Sequence, residues 1–406
     1  MNYSDAERMA AVLDSLGYTR TEQENEADLF MVISCSVRES AMLSIYGKVK
    51  DLNELKTKNS KLKTILTGCV LEKDRKKLSK VFDILMTIDE LSGLPALLNS
   101  NPTENCAKDY FSITPHYKST FRAYVPISTG CDNFCSYCAV PYTKGREKSR
   151  PIEEIIQEVT NLVKGGFKEI TLLGQNVNSY GAGNTFGELL VNLDKIPGEH
   201  RIYFYSNHPK DMTDELIKTI ADLKHFPHYI HLPLQSGSDE ILKKMNRHNT
   251  KEKYLGLVAK IRKAMPDVTL TTDIIVGYPG ETEEQFADTI DVMKKAEYDM
   301  AFIARYSPRP GTVSAKEPDD VPKEEKKRRE MILQEIVKAT VFEHNEKLVG
   351  TTQKVLVDEK KGEKYYGRTE GYKVIEIKTD QPLRIGQFID VKIESVSSWK
   401  LFGKIV

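Results

Sequence analysis

Between residues 124 and 306 short apolar runs alternate with amphipathic stretches, which limits the middle of this chain to a parallel α/β sheet or barrel. Strands are read at 124–130, 169–173, 201–205, 229–232, 268–276 and 300–306. The stretch 151–164 is a predicted helix, with Pro151 in its first turn, a stripe of Ile152, Ile155, Ile156, Val159 and Leu162, and Gly165-Gly166 as its stop. Further helices are read at 214–223, 254–265 and 283–295. Six such units predict an incomplete (β/α)6 barrel with its functional residues at the carboxyl ends of the strands. Polar segments come after those ends: Gly174-Gln-Asn-Val-Asn-Ser-Tyr-Gly181, Ser206-Asn-His-Pro209, Pro233-Leu-Gln235-Ser-Gly-Ser238 and Gly277-Tyr-Pro279-Gly-Glu281. Singly each reads as a turn, and four on one face mark a binding mouth. The last lies between a strand and a helix, where backbone N–H groups can face a carboxylate or a nucleoside. His208 and His231 read as core imidazoles and receive no catalytic role.

The loop after the first of these strands carries Cys131, Cys135 and Cys138, a C-x3-C-x2-C triplet. A zinc site wants a fourth Cys or His at short spacing, and residues 139–150 hold none. A cubane iron–sulfur cluster held by three thiolates keeps one iron open for a ligand. A chance trio of buried thiols is the plain alternative. Three of the chain's six cysteines within eight residues speak against it.

Lys+Arg 59 against Asp+Glu 59 leaves no net charge, so contact with nucleic acid must come from local patches. No apolar run approaches membrane-spanning length, no signal peptide is read at Met1-Asn-Tyr-Ser-Asp, and unevenly spaced cysteines fit a reducing compartment. The expected location is cytoplasmic, without a membrane, and the expected state is a monomer.

Before the barrel, residues 4–16 read as a helix capped by Ser4 with Glu7 three positions on. Two apolar runs, 29–33 and 64–67, each deliver a cysteine, Cys35 and Cys69, and flank a charged helix at 38–58. That alternation predicts a small doubly wound sheet with both thiols at its ligand-binding edge, although a lone cysteine at a strand end is often a small core residue. Residues 99–118, with Cys106, read as a linker. After the barrel, 322–347 reads as a solvated helix. Four short strands, at 354–357, 374–377, 388–393 and 401–405, predict a small antiparallel β-barrel of oligonucleotide-binding type. Tyr366 and Arg368, placed in a loop, are candidates for contact with RNA, against the plainer reading of a lysine-rich solvated surface.

These motifs resemble those of a known family. Cys131, Cys135 and Cys138, with Tyr137 as the aromatic before the last, resemble the radical S-adenosylmethionine (SAM) signature. The resemblance implies a 4Fe–4S cluster whose open iron chelates SAM, with Tyr137, Gln235, Gly277, Pro279 and Glu281 near the cofactor. Ser34-Cys35-Ser-Val-Arg-Glu-Ser and Leu66-Thr-Gly-Cys69 resemble the methylthiotransferase N-terminal domain, implying Cys35 and Cys69 as ligands of a second, auxiliary 4Fe–4S cluster. Its third ligand in the family lies in Gly-Cys-Gln-Met-Asn at the end of an opening strand. Met1-Asn2-Tyr-Ser-Asp matches the residues on the carboxyl side of that cysteine, and the cysteine itself is absent. Cys106 is the remaining candidate for its place. The tail resembles a TRAM domain. The chain thus divides into a methylthiotransferase N-terminal domain (1–104), a radical SAM core (117–347) and a TRAM domain (349–406).

The loops Gly174-Gln-Asn-Val-Asn-Ser-Tyr-Gly181, Asn207-His-Pro-Lys-Asp-Met212, Met245-Asn-Arg and Tyr306-Ser-Pro-Arg-Pro-Gly-Thr312 resemble the MiaB-type tRNA methylthiotransferases. Ser206-Asn-His-Pro stands where Thr-Ser-His-Pro is more usual. The implied reaction is methylthiolation of carbon 2 of isopentenylated adenosine beside the tRNA anticodon, with a reductase and a sulfur donor as partners. The alternatives are the same chemistry on threonylcarbamoylated adenosine or on a ribosomal protein, or an inactive tRNA-binding relative.

Overall fold

The computed structural model describes residues 1–35, 39–98 and 109–406, so Cys106 and part of the linker lie outside the described residues. The chain forms two units. The first comprises Met1–Lys118, Thr129–Lys148 and Ser307–Glu317, and the second Ser119–Ser128, Ser149–Tyr306 and Pro318–Val406. Among the described residues no helix is long and apolar enough to cross a membrane.

In the first unit α1 (Asn2–Ser15), β1 (Leu29–Ser34), α2 (Glu39–Lys58), β2 (Lys63–Gly68), α3 (Glu72–Leu78) and β3 (Ile84–Leu85) build a parallel sheet of order β1-β2-β3. Side chains alternate across a strand, so Leu29, Met31, Ile33 and Ile65 pack with Met9 of α1. Phe30, Val32 and Leu66 pack on the other face with Met42, Ile45 and Leu52 of α2 and Leu78 of α3. Two cores on opposite faces make the sheet doubly wound, as expected. One local expectation fails. α1 begins at Asn2, and Ser4 is no cap but a buried residue whose hydroxyl takes a 2.6 Å bond from Arg8 Nη1. A one-turn helix, α4 (Val140–Thr143), comes after the cysteine triplet in this unit.

The second unit holds six parallel strands: β4 (Arg122–Pro126), β5 (Glu169–Leu173), β6 (Arg201–Phe204), β7 (Tyr229–His231), β8 (Thr269–Val276) and β9 (Met300–Arg305). They pair as β4-β5-β6 and β9-β8-β7. Helices α5 (Ile152–Lys164), α6 (Phe186–Asp194), α7 (Asp214–Asp222), α8 (Asp239–Lys244), α9 (Lys251–Ala264) and α10 (Glu283–Ala296) cross between them. Of the five stripe residues read from the sequence, Ile152, Ile155, Val159 and Leu162 are buried in α5, each contributing about 1.5–3 kcal/mol, and Ile156 is half-buried. Thr185, Thr213, Thr250 and Thr282 cap their helices through side-chain oxygens.

After α11 (Lys323–Glu346) come β10 (Thr352–Lys361), β11 (Lys364–Thr369), β12 (Val374–Lys378), β13 (Phe388–Val396) and β14 (Leu401–Ile405), a closed barrel of order β10-β11-β12-β14-β13. The four strands expected are present, and β11 is an addition. Tyr366 and Arg368 therefore lie on a strand and not in a loop.

The turn between β11 and β12 closes the amino-terminal mouth of the large barrel. Tyr372, at φ 60°, sets its ring 5.1 Å from Tyr203, 6.2 Å from Tyr205 and 5.8 Å from Tyr229. Arg201 at the start of β6 donates from Nη1 to the carbonyls of Arg368 (3.1 Å) and Thr369 (3.2 Å), and Tyr203 OH donates to Glu370 O (2.9 Å). Beneath them the fully buried Glu169 carboxylate takes two bonds from Arg201, at 3.0 and 2.7 Å, and one from Arg122 Nε. Arg122 also reaches Asp358 of β10 at 3.2 Å. Burial alone weakens the Arg122 charge, and the facing Glu169 more than restores it.

Candidate metal centre and nucleic-acid interface

The cysteine triplet is shaped by residues that leave few alternatives. Gly130, at φ 78°, precedes Cys131, whose N–H bonds to Gly145 O at 3.2 Å. A Cβ on Gly130 would sit 2.2 Å from Arg146 O, so no other residue fits. Asp132 Oδ1 holds the far side of the loop through Glu147 N (3.1 Å) and Arg146 Nε (2.8 Å). Phe134 takes a left-handed φ of 47°, its ring edge-on to Tyr142 at 6.3 Å and under Arg146 at 5.3 Å. Left-handed backbone in a non-glycine residue is strain that surrounding contacts must hold.

Cys131 and Cys135 are buried, Cys138 and Tyr137 are half-buried, and none of the thiols is in a disulfide. Burial raises the Cys131 thiol pKa, with the Asn133 N–H opposing it. Among the described residues no trio of His, Cys, Asp or Glu converges on one ion position.

Cys35 and Cys69 are neighbours, as expected. Each lies one residue beyond its strand, and the strands pair in register with Ser34 opposite Gly68. Cys69 N–H bonds to Ser34 O at 3.2 Å, and a Cβ on Gly68 would lie 2.5 Å from that oxygen. Burial raises the Cys69 thiol pKa, while the Lys144 charge and a hydrogen bond from Thr143 oppose it. Lys144 and Thr143 end the helix that leaves Cys138, a link between the two thiol groups that sequence reasoning missed. The Lys144 side chain is 6% exposed, with Nζ 3.9 Å from the buried Asp5 carboxylate and no hydrogen-bond partner among the described residues. The described residues supply two thiols here, only part of a cubane's ligand set.

Three strands of the large barrel end in left-handed residues: Ser206 (φ 66°), Gln235 (φ 76°) and Gly277 (φ 67°). Among the described residues, buried polar atoms without partners follow two neighbouring strands: Gln175 Oε1 and Asn176 Oδ1 after β5, and Asn207 Oδ1 and His208 Nε2 after β6. Burial drives the His208 pKa down to about 2, with Arg247 assisting, so the ring is neutral. Such residues and unsatisfied atoms mark a ligand-facing mouth.

The Gly277–Glu281 segment behaves otherwise than expected. Gly277 N–H donates to Glu281 Oε2 (2.6 Å), Gly280 N–H to Asp320 Oδ1 (2.7 Å) and Glu281 N–H to Tyr278 O (2.9 Å), so these donors are spent within the unit. Glu281 is buried against Arg329 Nη1 at 2.8 Å, Pro279 is buried, and the close approach at Gly277 is made by the Lys326 stem, 2.3 Å from an added Cβ. The glycine is needed, for a lysine of α11 and not for an anion.

On the small barrel, Tyr366 and Arg368 come together with Arg122, Asp358, Glu359, Lys361, Val374 and Lys400 around a groove of about 580 Å³. Four cations face two carboxylates there. Tyr366 lies between Lys361 (5.8 Å) and Lys400 (5.2 Å), with its hydroxyl 3.2 Å from Glu376. Arg368 is held inward by Asp358 (3.0 Å) and covers the Tyr372 ring at 4.7 Å, so part of its role is structural.

Residues 125–293 match the Radical SAM superfamily, residues 346–406 the TRAM domain and residues 1–88 the Uncharacterized protein family UPF0004. Over all of its length the chain is 42% identical to the tRNA-2-methylthio-N(6)-dimethylallyladenosine synthase of Acetivibrio thermocellus, covering 89% of that protein. It is equally similar to the enzyme of that name from Caldicellulosiruptor saccharolyticus, covering 90%. The chain belongs to the MiaB-type radical SAM methylthiotransferases. Among solved structures it resembles the radical SAM methyltransferase TsrM from Kitasatospora setae with cobalamin and a [4Fe-4S] cluster bound. The TM-score is 0.56 at 14% identity, over 76% of this chain and 68% of that one. The cobalamin-dependent SAM radical enzyme OxsB gives a TM-score of 0.52 at 12% identity over 85% and 50%. Those two likenesses concern the fold alone. As a family member the chain is a radical SAM methylthiotransferase.

Proposed function

We propose that this methylthiotransferase acts on tRNA, placing a methylthio group on carbon 2 of N6-isopentenylated adenosine beside the anticodon. A 4Fe–4S cluster and SAM are its cofactors. The observation that carries the reading is the loop of Cys131, Cys135 and Cys138, three thiols outside any disulfide, held between Gly130 and Gly145. We assign them as the cluster's ligands. Held by these three thiolates, a 4Fe–4S cluster would supply one-electron reduction of SAM, and with it the radical hydrogen abstraction that an aromatic carbon untouched by polar chemistry requires. Burial of two of the thiols keeps water from the sulfurs.

Tyr137 and Gln235 are proposed to border SAM, Gln235 through a side chain at a strained strand end. Gly277, Pro279 and Glu281 are assigned to shaping that border from behind. Cys35 and Cys69 are proposed as the auxiliary pair, with Lys144 as their fixed positive neighbour. Tyr366 and the groove around it are proposed to meet RNA. The division at 1–104, 117–347 and 349–406 is proposed with these roles. A reductase, a sulfur donor, a monomeric state and a cytoplasmic location complete the proposal.

Iron and sulfide are to be counted after anaerobic reconstitution, beside a variant with alanine at Cys131, Cys135 and Cys138. Two cubanes give about eight irons per chain, falling to about four in the variant. About four falling to none leaves radical initiation intact and removes the auxiliary assignment. Absence of SAM cleavage under dithionite in the loaded wild type would refute the enzymatic reading itself.

A further inference from the structure

One buried lysine of α11 joins two chain segments that lie far apart in sequence. Val276 and Arg305 are the last pair of the β8–β9 ladder, and Tyr306 N–H bonds to Val276 O at 2.9 Å. Gly277 then leaves the strand at φ 67°, and the Cγ, Cδ and Cε atoms of Lys326 run across it, 2.3–3.0 Å from where a Cβ would stand. The side chain ends on Tyr306, where Nζ donates to the carbonyl at 3.2 Å and lies 5.2 Å from the ring centre. Asp319 supplies the countercharge through Oδ1. Tyr306 in turn meets Tyr278 edge-on at 5.2 Å.

Local rules argue against a lysine at this position. Lys326 is 3% exposed, and a buried ammonium destabilises unless its partners are complete. It also stands near the amino-terminal end of α11, where the helix dipole disfavours a cation. A methionine would fill the same space without either penalty. What the ammonium adds is direction, because bonds to the Tyr306 carbonyl and to Asp319 together fix the stem over Gly277. Arg329, three residues on and so on the same face of the helix, holds the other end of the turn through Glu281 O at 3.0 Å and Oε2 at 2.8 Å. The segment from Gly277 to Glu281 is thus clamped at both ends by α11.

We infer that Lys326 is a positioning residue for SAM, acting through the Gly277–Glu281 segment and not by touching the cofactor. The Gly277, Gly280 and Glu281 N–H groups are spent within the protein, so the segment serves as a wall, and the affinity for SAM depends on where that wall stands. The inference rests on the assignment of this segment to the SAM border and names what sets its place.

The test is a SAM titration of the full reconstituted chain, reduced with dithionite and read from the change that SAM makes in the electron paramagnetic resonance spectrum. Only molecules that hold a cluster contribute, so misfolded protein does not enter the dissociation constant. Lys326→Met keeps the stem and loses the ammonium. It raises the SAM dissociation constant about tenfold, with iron per chain at the wild-type value. At saturating SAM its rate of 5′-deoxyadenosine formation comes close to wild type, so KM moves and kcat does not. Lys327→Met, at the exposed neighbour, changes neither. Asp319→Asn leaves the lysine without its countercharge and raises the constant about threefold. A wild-type constant in Lys326→Met overturns the inference, whatever happens to Tm. If that variant takes up no iron, a wild-type constant in Asp319→Asn overturns it instead. A loaded wild type whose spectrum does not respond to SAM overturns the cofactor reading together with the inference.

Discussion

Replacing Glu169 by alanine removes the only carboxylate that Arg201 has within ion-pair distance among the described residues. The Arg201 side chain is 4% exposed and that of Glu169 fully buried, so the stranded guanidinium cannot turn to water. Arg122 suffers less, because it is 18% exposed and keeps Asp358. Breaking one buried pair costs about 3–5 kcal/mol, and most of that falls on Arg201. Each kcal/mol lowers Tm by about 2–4 °C in a domain of this size, so Glu169→Ala is expected to melt roughly 6–20 °C lower. Glu169→Gln, which keeps the volume and one acceptor oxygen, is expected to lose about 1–3 kcal/mol. Arg201 also holds the Arg368 and Thr369 carbonyls, so the alanine variant should expose the segment between β11 and β12 to protease before the rest of the unit unfolds. Calorimetry and timed proteolysis read both effects. A Tm drop under about 3 °C with an unchanged cleavage order would refute the view that this carboxylate joins the small barrel to the large one.

Tyr372→Ala empties the space between Tyr203, Tyr205 and Tyr229 and should cost about 2–4 kcal/mol by denaturant unfolding, against under about 1 kcal/mol for Tyr372→Phe. Gly130→Ala places a Cβ 2.2 Å from Arg146 O, and iron bound after reconstitution should drop by about four per chain while the melting of the second unit stays put. Burial works to raise the Asp299 pKa, but His344 and Lys373 hold it down at about 2. A depressed carboxylate stabilises above its unfolded pKa near 3.9 and loses that contribution as pH falls through its folded value. Asp299→Asn should therefore be about 2 kcal/mol less stable at pH 7, with the gap to wild type closing between about pH 4 and 2. Equal pH profiles for the two proteins would remove the ion pairs as its cause.

The barrel was legible because buried parallel strands are continuous apolar runs. Glu169–Leu173 and Met300–Arg305 differ from their sequence readings by at most one residue at an end. The strand Lys364–Thr369 was not, since its polar face and Gly367 give no such run and only pairing with β10 and β12 defines it. Ser4 and Glu7 satisfied a capping pattern, yet burial of Ser4 against Arg8 overrode the local signal. The thiols of the cluster loop were legible from spacing alone. Lys144, Tyr372 and Lys326 were not, because their meaning lies in partners on other strands and loops. A charged residue opening a strand that otherwise reads as buried was the one available sign for Glu169.

The single turn of α4 sets a length. It leaves Cys138 at one end and delivers Thr143 and Lys144 beside Cys69 at the other, about 6 Å along its axis for four residues. On the proposed assignments, one short strut links the loop of the sulfurs that start the radical to Cys69, one of those that handle the incoming sulfur. Any change to the residue count of that strut would alter the geometry of the transfer itself, so insertions and deletions there should be far less tolerated than in the neighbouring surface loops.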